Sequence, residues 1–236
     1  MKNLLAALSP SRPPGCAPAG PRAVTLEDER VVALDAPSRS VVDYRNCPSL
    51  KPAGAPLEGT WVRVPGSNIR FMALCSSHPD QFGPVHFAPG DVTEPQCELP
   101  LRADGWKEGN TLAYLVDFLD PVTATPTMRV YYQDSPGRDP VGTVPPELLD
   151  ERRVDVALLC VGSSGNVPDE PSRTLASLSP RFVLGGHWED FFRSADAQPM
   201  PIPFLNLQEW KTRAAAVMGP AFAVPMPGEV FVVAAQ

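Results

Sequence analysis

Apolar residues dominate two short runs, 61–64 (WVRV) and 69–75 (IRFMALC), with the turn-forming PGSN between them. Two strand-like runs joined by such a turn predict a hairpin with one face toward a core. The pattern repeats at residues 111–119 (TLAYLVDFL) and 128–135 (MRVYYQDS), joined by PVTATPT. This second pair predicts an antiparallel hairpin at the heart of a sheet. VDVALLCVGS, residues 154–163, does not alternate and reads as a strand covered on both faces. Helical spacing appears only around and beyond it. Short helices are predicted at 146–152 and, capped by Asp169 or Ser172, through Leu178. A strand follows at 181–186, then a helical turn in HWEDFFR, a helix capped by Asn206 and closed by Gly219, and a last strand in GEVFVVAA. Strands alone in the middle and alternating elements afterwards predict a layered α/β fold with a mixed sheet and flanking helices.

Composition changes that picture at the N-terminal end. Proline supplies 30 of the 236 residues, well over twice the usual share of about 5%. Residues 1–60 therefore read as a Pro-rich, weakly structured segment, with a brief helix at 2–8 and a strand at 29–36, and residues 61–236 as the folded domain. Residues 79–109 show no period and are predicted to form a long loop, a kind of segment that is usually functional or disordered. A net charge of -7 with scattered basic residues excludes a general affinity for nucleic acid. No apolar run approaches the ~20 residues that span a bilayer, so the expectation is a soluble, cytoplasmic chain without a membrane partner. The five cysteines lack a CxxC pair and read as free thiols; a Cys47–Cys97 disulfide is compatible with the sequence, but nothing requires it.

Three strand-like runs end in groups that bind metals. IRFMALCSSH delivers His78, MRVYYQDS delivers Asp134, and RFVLGGH delivers His187. Open α/β sheets place ligands at the carboxyl ends of their strands, and imidazole with carboxylate suits zinc, iron or manganese. Taken singly, each has an ordinary reading: Asp134 starts a turn, and His187 caps a helix or sits in a loop. Tyr131, Tyr132 and Trp188 read as core or rim packing, and Cys160, in an apolar strand, as a small apolar residue rather than a nucleophile. Ser163-Ser164-Gly165 follows a strand, yet neither GxSxG nor GxxxxGK is present.

The succession of a strand ending in SSH, then TLAYLVDF, RVYYQD, VDVALLCVG, a helix and RFVLGGHW resembles the C-terminal half of a metallo-β-lactamase superfamily hydrolase. The likeness covers roughly residues 61–236 and is most specific in RVYYQD with RFVLGGHW. It implies part of an αββα sandwich in which Asp134 bridges two metals, His78 binds the first and His187 the second. The implied chemistry is hydrolysis of a small-molecule ester, amide or phosphodiester by metal-bound hydroxide. The family's HxHxDH signature is absent, and the chain has only three histidines, His78, His86 and His187. A catalytic zinc normally takes three protein ligands, so this chain alone is expected to hold metal poorly and to be inactive by itself. His86 is a substitute third ligand if the 79–109 loop folds back. The resemblance thus leaves open an N-terminally incomplete hydrolase, one that self-associates or takes a partner chain supplying the missing half. A non-catalytic binding or regulatory module and a mononuclear metal-binding protein are the alternatives.

Overall fold

The computed structural model describes residues 14–16, 59–80, 88–90, 92, 94, 96–109, 111–137, 141–194 and 196–233. The expected helix at 2–8, the expected strand at 29–36, His86 and Cys47 lie outside the described residues. Seven strands form one sheet in sequence order: β1 (Val62–Arg63), β2 (Ile69–Cys75), β3 (Leu112–Leu119), β4 (Pro126–Gln133), β5 (Val156–Cys160), β6 (Phe182–Gly186) and β7 (Phe222–Ala223). The first four pair antiparallel and the last four parallel, which makes the sheet mixed and the fold α/β. Because β2 and β4 both run antiparallel to β3, β2 points the same way as β4, β5 and β6. The carboxyl ends of β2, β4, β5 and β6 therefore share one edge of the sheet.

Three helices connect the parallel half: α1 (Pro146–Glu151), α2 (Ser172–Leu178) and α3 (Leu207–Met218). Leu175 and Leu178 of α2 and Trp210 and Ala214 of α3 are buried in one cluster with Leu74, Leu115, Tyr131, Leu159 and Val183 from successive strands. Alternation decides which strand residues take part. On β3, positions 113, 115, 117 and 119 are buried, while Tyr114, Val116 and Phe118 between them are not. Phe71, Val130, Leu158 and Leu184 share that second face and are likewise only partly buried, and Tyr132 there is exposed. Among the described residues, no helix contributes a buried side chain there.

The β3–β4 hairpin carries a charge pair in its core. Its register sets Asp117 opposite Arg129, and both side chains are fully buried. Arg129 donates from Nε to Asp117 Oδ1 at 2.7 Å and from a terminal nitrogen to Oδ2 at 2.9 Å. Arg70 donates to the same Oδ2 at 2.9 and 2.7 Å. The other Arg129 nitrogen donates to the backbone carbonyls of Leu148 and Arg152 at the end of α1. Trp61 lies over Arg70 at 4.0 Å. A buried charge is tolerated only when paired and fully hydrogen-bonded, and this pair is both.

Several expected elements differ. HWEDFFR is not helical: Glu189 bridges Pro201 antiparallel, so the segment turns back on 200–202. GEVFVVAA is not a strand over its described part, and the seventh strand is Phe222–Ala223 instead. Val230 and Val232 are exposed while Phe231 packs near Phe182, so the alternation is present but has no strand partner. Neither Asp169 nor Ser172 caps α2, whose N-cap position is Pro171 without a side-chain cap. Asn206 does cap α3, accepting from the Glu209 N–H at 3.0 Å, and Gly219 closes it at φ 58°.

The free-thiol reading also requires correction. Cys16 and Cys97 are joined in a disulfide, Cys75 is disulfide-bonded as well, and Cys160 is a buried free thiol. Spacing alone does not disclose a closure across 81 residues of sequence. No helix among the described residues is long and apolar enough to cross a membrane.

Candidate functional site

The shared sheet edge assembles the site. Asp134 follows the last residue of β4, His187 the last residue of β6, and His78 lies three residues beyond β2. Two contacts tie the loops together there. Ser76 Oγ donates to the Ser135 carbonyl at 3.5 Å, and Asn166 Nδ2 donates to the Asp80 carbonyl at 2.8 Å. Gly162, just past β5, donates its N–H to the His187 carbonyl at 3.0 Å. A Cβ there would stand 2.8 Å from that oxygen, so the approach requires glycine.

His187 Nδ1 and Asp134 Oδ1 are 3.3 Å apart, a weak hydrogen-bonded ion pair when the ring is protonated. The bond raises the His187 pKa against the opposing effect of partial burial. In return the His187 hydrogen bond holds the Asp134 carboxyl below its ordinary range, with smaller help from Tyr132 and from the charge of His78. Burial pushes the Tyr132 hydroxyl up to about 12, and the Asp134 charge beside it adds to the rise. His78 Nδ1 lies 2.7 Å from the Pro79 carbonyl.

Behind this edge opens a cavity of about 590 Å³, lined by His78, His187, Ser135, Cys160 and the 162–166 turn on one side. Phe191, Phe192, Ile202 and Phe204 form an apolar rim, and Glu170, Glu209, Trp210 and Arg213 complete the wall. Phe191 is stacked edge-on to His187 at 5.8 Å and lies 4.6 Å from Phe192. Seven described non-glycine residues have positive φ, and three of them, Ser163, His187 and Phe204, line this cavity. Backbone strain of that kind, costing on the order of 1–3 kcal/mol each, persists where surrounding structure enforces it and clusters at functional sites.

The structure therefore brings His187 and Asp134 into contact and sets His78 on the same cavity. Tyr131 and Trp188 are buried, as packing residues should be, whereas Tyr132 is partly exposed and bonds Asp134. Burial raises the Cys160 thiol pKa, so it carries little thiolate at neutral pH. The buried Ser164 hydroxyl donates to the Val161 carbonyl at 2.7 Å, away from any base. Sequence reasoning missed the aromatic rim, because FF in HWEDFFR was assigned to a helical turn. It also missed Ser135 and Trp210, whose buried Oγ and Nε1 atoms have no hydrogen-bond partner.

His78, Asp134 and His187 are chemically suited to a first-row metal. Their arrangement does not yet enclose one: among the described residues, no three His, Cys, Asp or Glu side chains gather closely enough to hold a cation. The Asp134–His187 pair offers two donors at one point, and the third arm is not assembled. The residues described thus do not fit a complete metal centre. No protein-family model, curated protein or solved structure matches the chain.

Proposed function

We propose that this chain carries part of the centre of a metal-dependent hydrolase similar to the C-terminal half of the metallo-β-lactamase superfamily. The observation that supports the reading is the convergence of Asp134, His187 and His78 on one sheet edge from three strands running the same way. The partly exposed apolar face formed by Phe71, Tyr114, Val130, Tyr132 and Leu158 is where an αββα sandwich carries its second sheet. His78, Asp134 and His187 are the residues assigned to zinc, iron or manganese. The remaining ligands must come from further residues or a partner chain, since His86 is the only other histidine. Metal content per chain after exchange into chelator-free buffer tests this, comparing wild type with Asp134→Ala. Substoichiometric metal in the wild type and none in the variant supports the reading; equal content in both removes it.

A second reading, a non-catalytic binding module on the same fold, is favoured by the Asp134–His187 pair itself. Its two groups already satisfy one another, and the cavity beside them is formed without any third ligand in place.

A further inference from the structure

Three serines line the 590 Å³ cavity, Ser135, Ser163 and Ser164. Ser135 Oγ is buried away from it, and the Ser164 hydroxyl is engaged by the Val161 carbonyl at 2.7 Å. Ser163 differs from both: it is half-buried, and its side chain does not cap the turn that follows. Its backbone is left-handed, at φ 59° and ψ 1°, where the chain passes from β5 into the short 3-10 helix Ser164–Asn166. A serine held in a strained turn between a strand and a helix presents its hydroxyl at the end of the sheet, which is how such turns expose a nucleophile. The GxSxG spacing is one way to build that turn, and the conformation is what the chemistry needs.

The strands on either side supply the other groups. β4, β5 and β6 lie side by side and parallel, so Asp134 and His187 stand at the strand ends flanking Ser163. His187 reaches across the end of β5 to Asp134, with Nδ1 3.3 Å from Oδ1, which leaves Nε2 as the nitrogen open to a hydroxyl. A Cβ placed on Gly162 would lie 3.5 Å from His187 Cδ2, the ring carbon bonded to Nε2. That side of the imidazole therefore lies against the backbone that carries Ser163. A carboxylate on Nδ1 with a hydroxyl on the Nε2 side is the set in which the carboxylate orients the ring and the ring takes the hydroxyl proton. Such sets are recognised by geometry and role, and recur in different chain orders. Gly165 also lines the cavity; its N–H makes no backbone hydrogen bond among the described residues, and the space beside it is open. It is available to an oxyanion formed on Ser163.

We propose that Ser163, His187 and Asp134 form a nucleophilic triad that hydrolyses a carboxylic ester without metal. Ser163 Oγ attacks the ester carbonyl carbon while its proton passes to His187 Nε2; the C–O bond to the alcohol then breaks, and that proton leaves with the alcohol. Water attacks the acyl group on Ser163 and gives a proton to His187 Nε2. The acid departs as the acyl–Oγ bond breaks and the proton returns to Ser163. Asp134 is the positioning residue throughout. This activity belongs to the metal-free chain and goes beyond the metal-dependent reading, in which the same imidazole is occupied.

Diisopropyl fluorophosphate tests it on the full chain, with chelator present throughout. Ser163 Oγ displaces fluoride from phosphorus, its proton leaving with the fluoride, and intact-mass and peptide mass spectrometry should find a single adduct, on Ser163. Ser163→Gly removes the hydroxyl with a residue at ease at φ 59°, and should give none. His187→Gln should slow labelling by about a hundredfold or more, the usual contribution of a general base. Asp134→Asn changes an exposed side chain, so it should keep the melting temperature while lowering the maximal labelling rate and not the affinity for the reagent. Wild type unfolded in urea should not be labelled. No adduct in the folded wild type, an adduct on another residue, equal labelling of the unfolded chain, or an unchanged maximal rate in Asp134→Asn overturns the proposal. Because chelator is present throughout, such a failure leaves the metal-dependent reading to be decided by metal content.

Discussion

Replacing Asp117 with alanine should be among the most damaging single changes in this chain, although it is far in sequence from Asp134 and His187. The substitution removes both oxygens that Arg129 engages at 2.7 and 2.9 Å and leaves a guanidinium with no solvent exposure. Breaking a buried pair from one side typically costs about 3–5 kcal/mol, because the surviving charge is stranded. Here the Leu148 and Arg152 carbonyls remain bonded to Arg129, and Glu151 lies 3.5 Å away, which places the expected loss at the lower end, about 3 kcal/mol. For a chain of this size that corresponds to a Tm lowered by about 6–12 °C. Urea unfolding followed by far-ultraviolet circular dichroism measures it directly. The double variant Asp117→Leu with Arg129→Met removes both charges and should be less destabilised than either single variant. A loss below about 1 kcal/mol in Asp117→Ala, or a double variant worse than the sum of the singles, would refute the reasoning.

Further outcomes follow from the site and the ends of the elements. The Asp134–His187 bond raises the His187 pKa above 6.5 and lowers that of Asp134 below 3.8. The contribution of the pair to stability is thus fully present from about pH 4 to 6.5, fades above as His187 deprotonates, and fades below as Asp134 protonates. Imidazole NMR titration should show the His187 midpoint falling in Asp134→Asn; an unmoved midpoint sinks the assignment. Asn206→Ala removes the side-chain acceptor of the Glu209 N–H and should cost about 1 kcal/mol, read from the urea midpoint. Non-reducing peptide mapping should recover Cys16 linked to Cys97, and native alkylation at neutral pH should spare Cys160, whose thiol is buried; a free Cys97 would contradict the pairing.

What the sequence disclosed and what it concealed divide along physical lines. Apolar and aromatic runs in TLAYLVDFL and MRVYYQD, broken by PVTATPT, exposed the central hairpin, although only the register shows which face is buried. The same register sets Asp117 opposite Arg129, so their pairing was latent in the pattern once the turn was located. Asn206 and Gly219 announced the limits of α3 through local chemistry, an acceptor for a free N–H and a residue at ease with positive φ. GEVFVVAA misled because a β-branched, apolar run reports strand preference and not a partner: β6 was already paired with Phe222–Ala223. HWEDFFR misled for a related reason, since Phe191 and Phe192 face a cavity and the long-range Glu189–Pro201 bridge overrides local preference. The disulfide and the unsatisfied Trp210 nitrogen depend on contacts remote in sequence and leave no local trace.

The central proposal is that Asp134 joins His78 and His187 in one metal centre. Zinc titration of the full chain, followed by long-range imidazole NMR of His78 and His187, tests it most directly. The account predicts that both imidazoles shift over the same zinc concentrations, weakly, and that Asp134→Ala abolishes both responses together. Responses at separate concentrations, or responses that survive in Asp134→Ala, would contradict it.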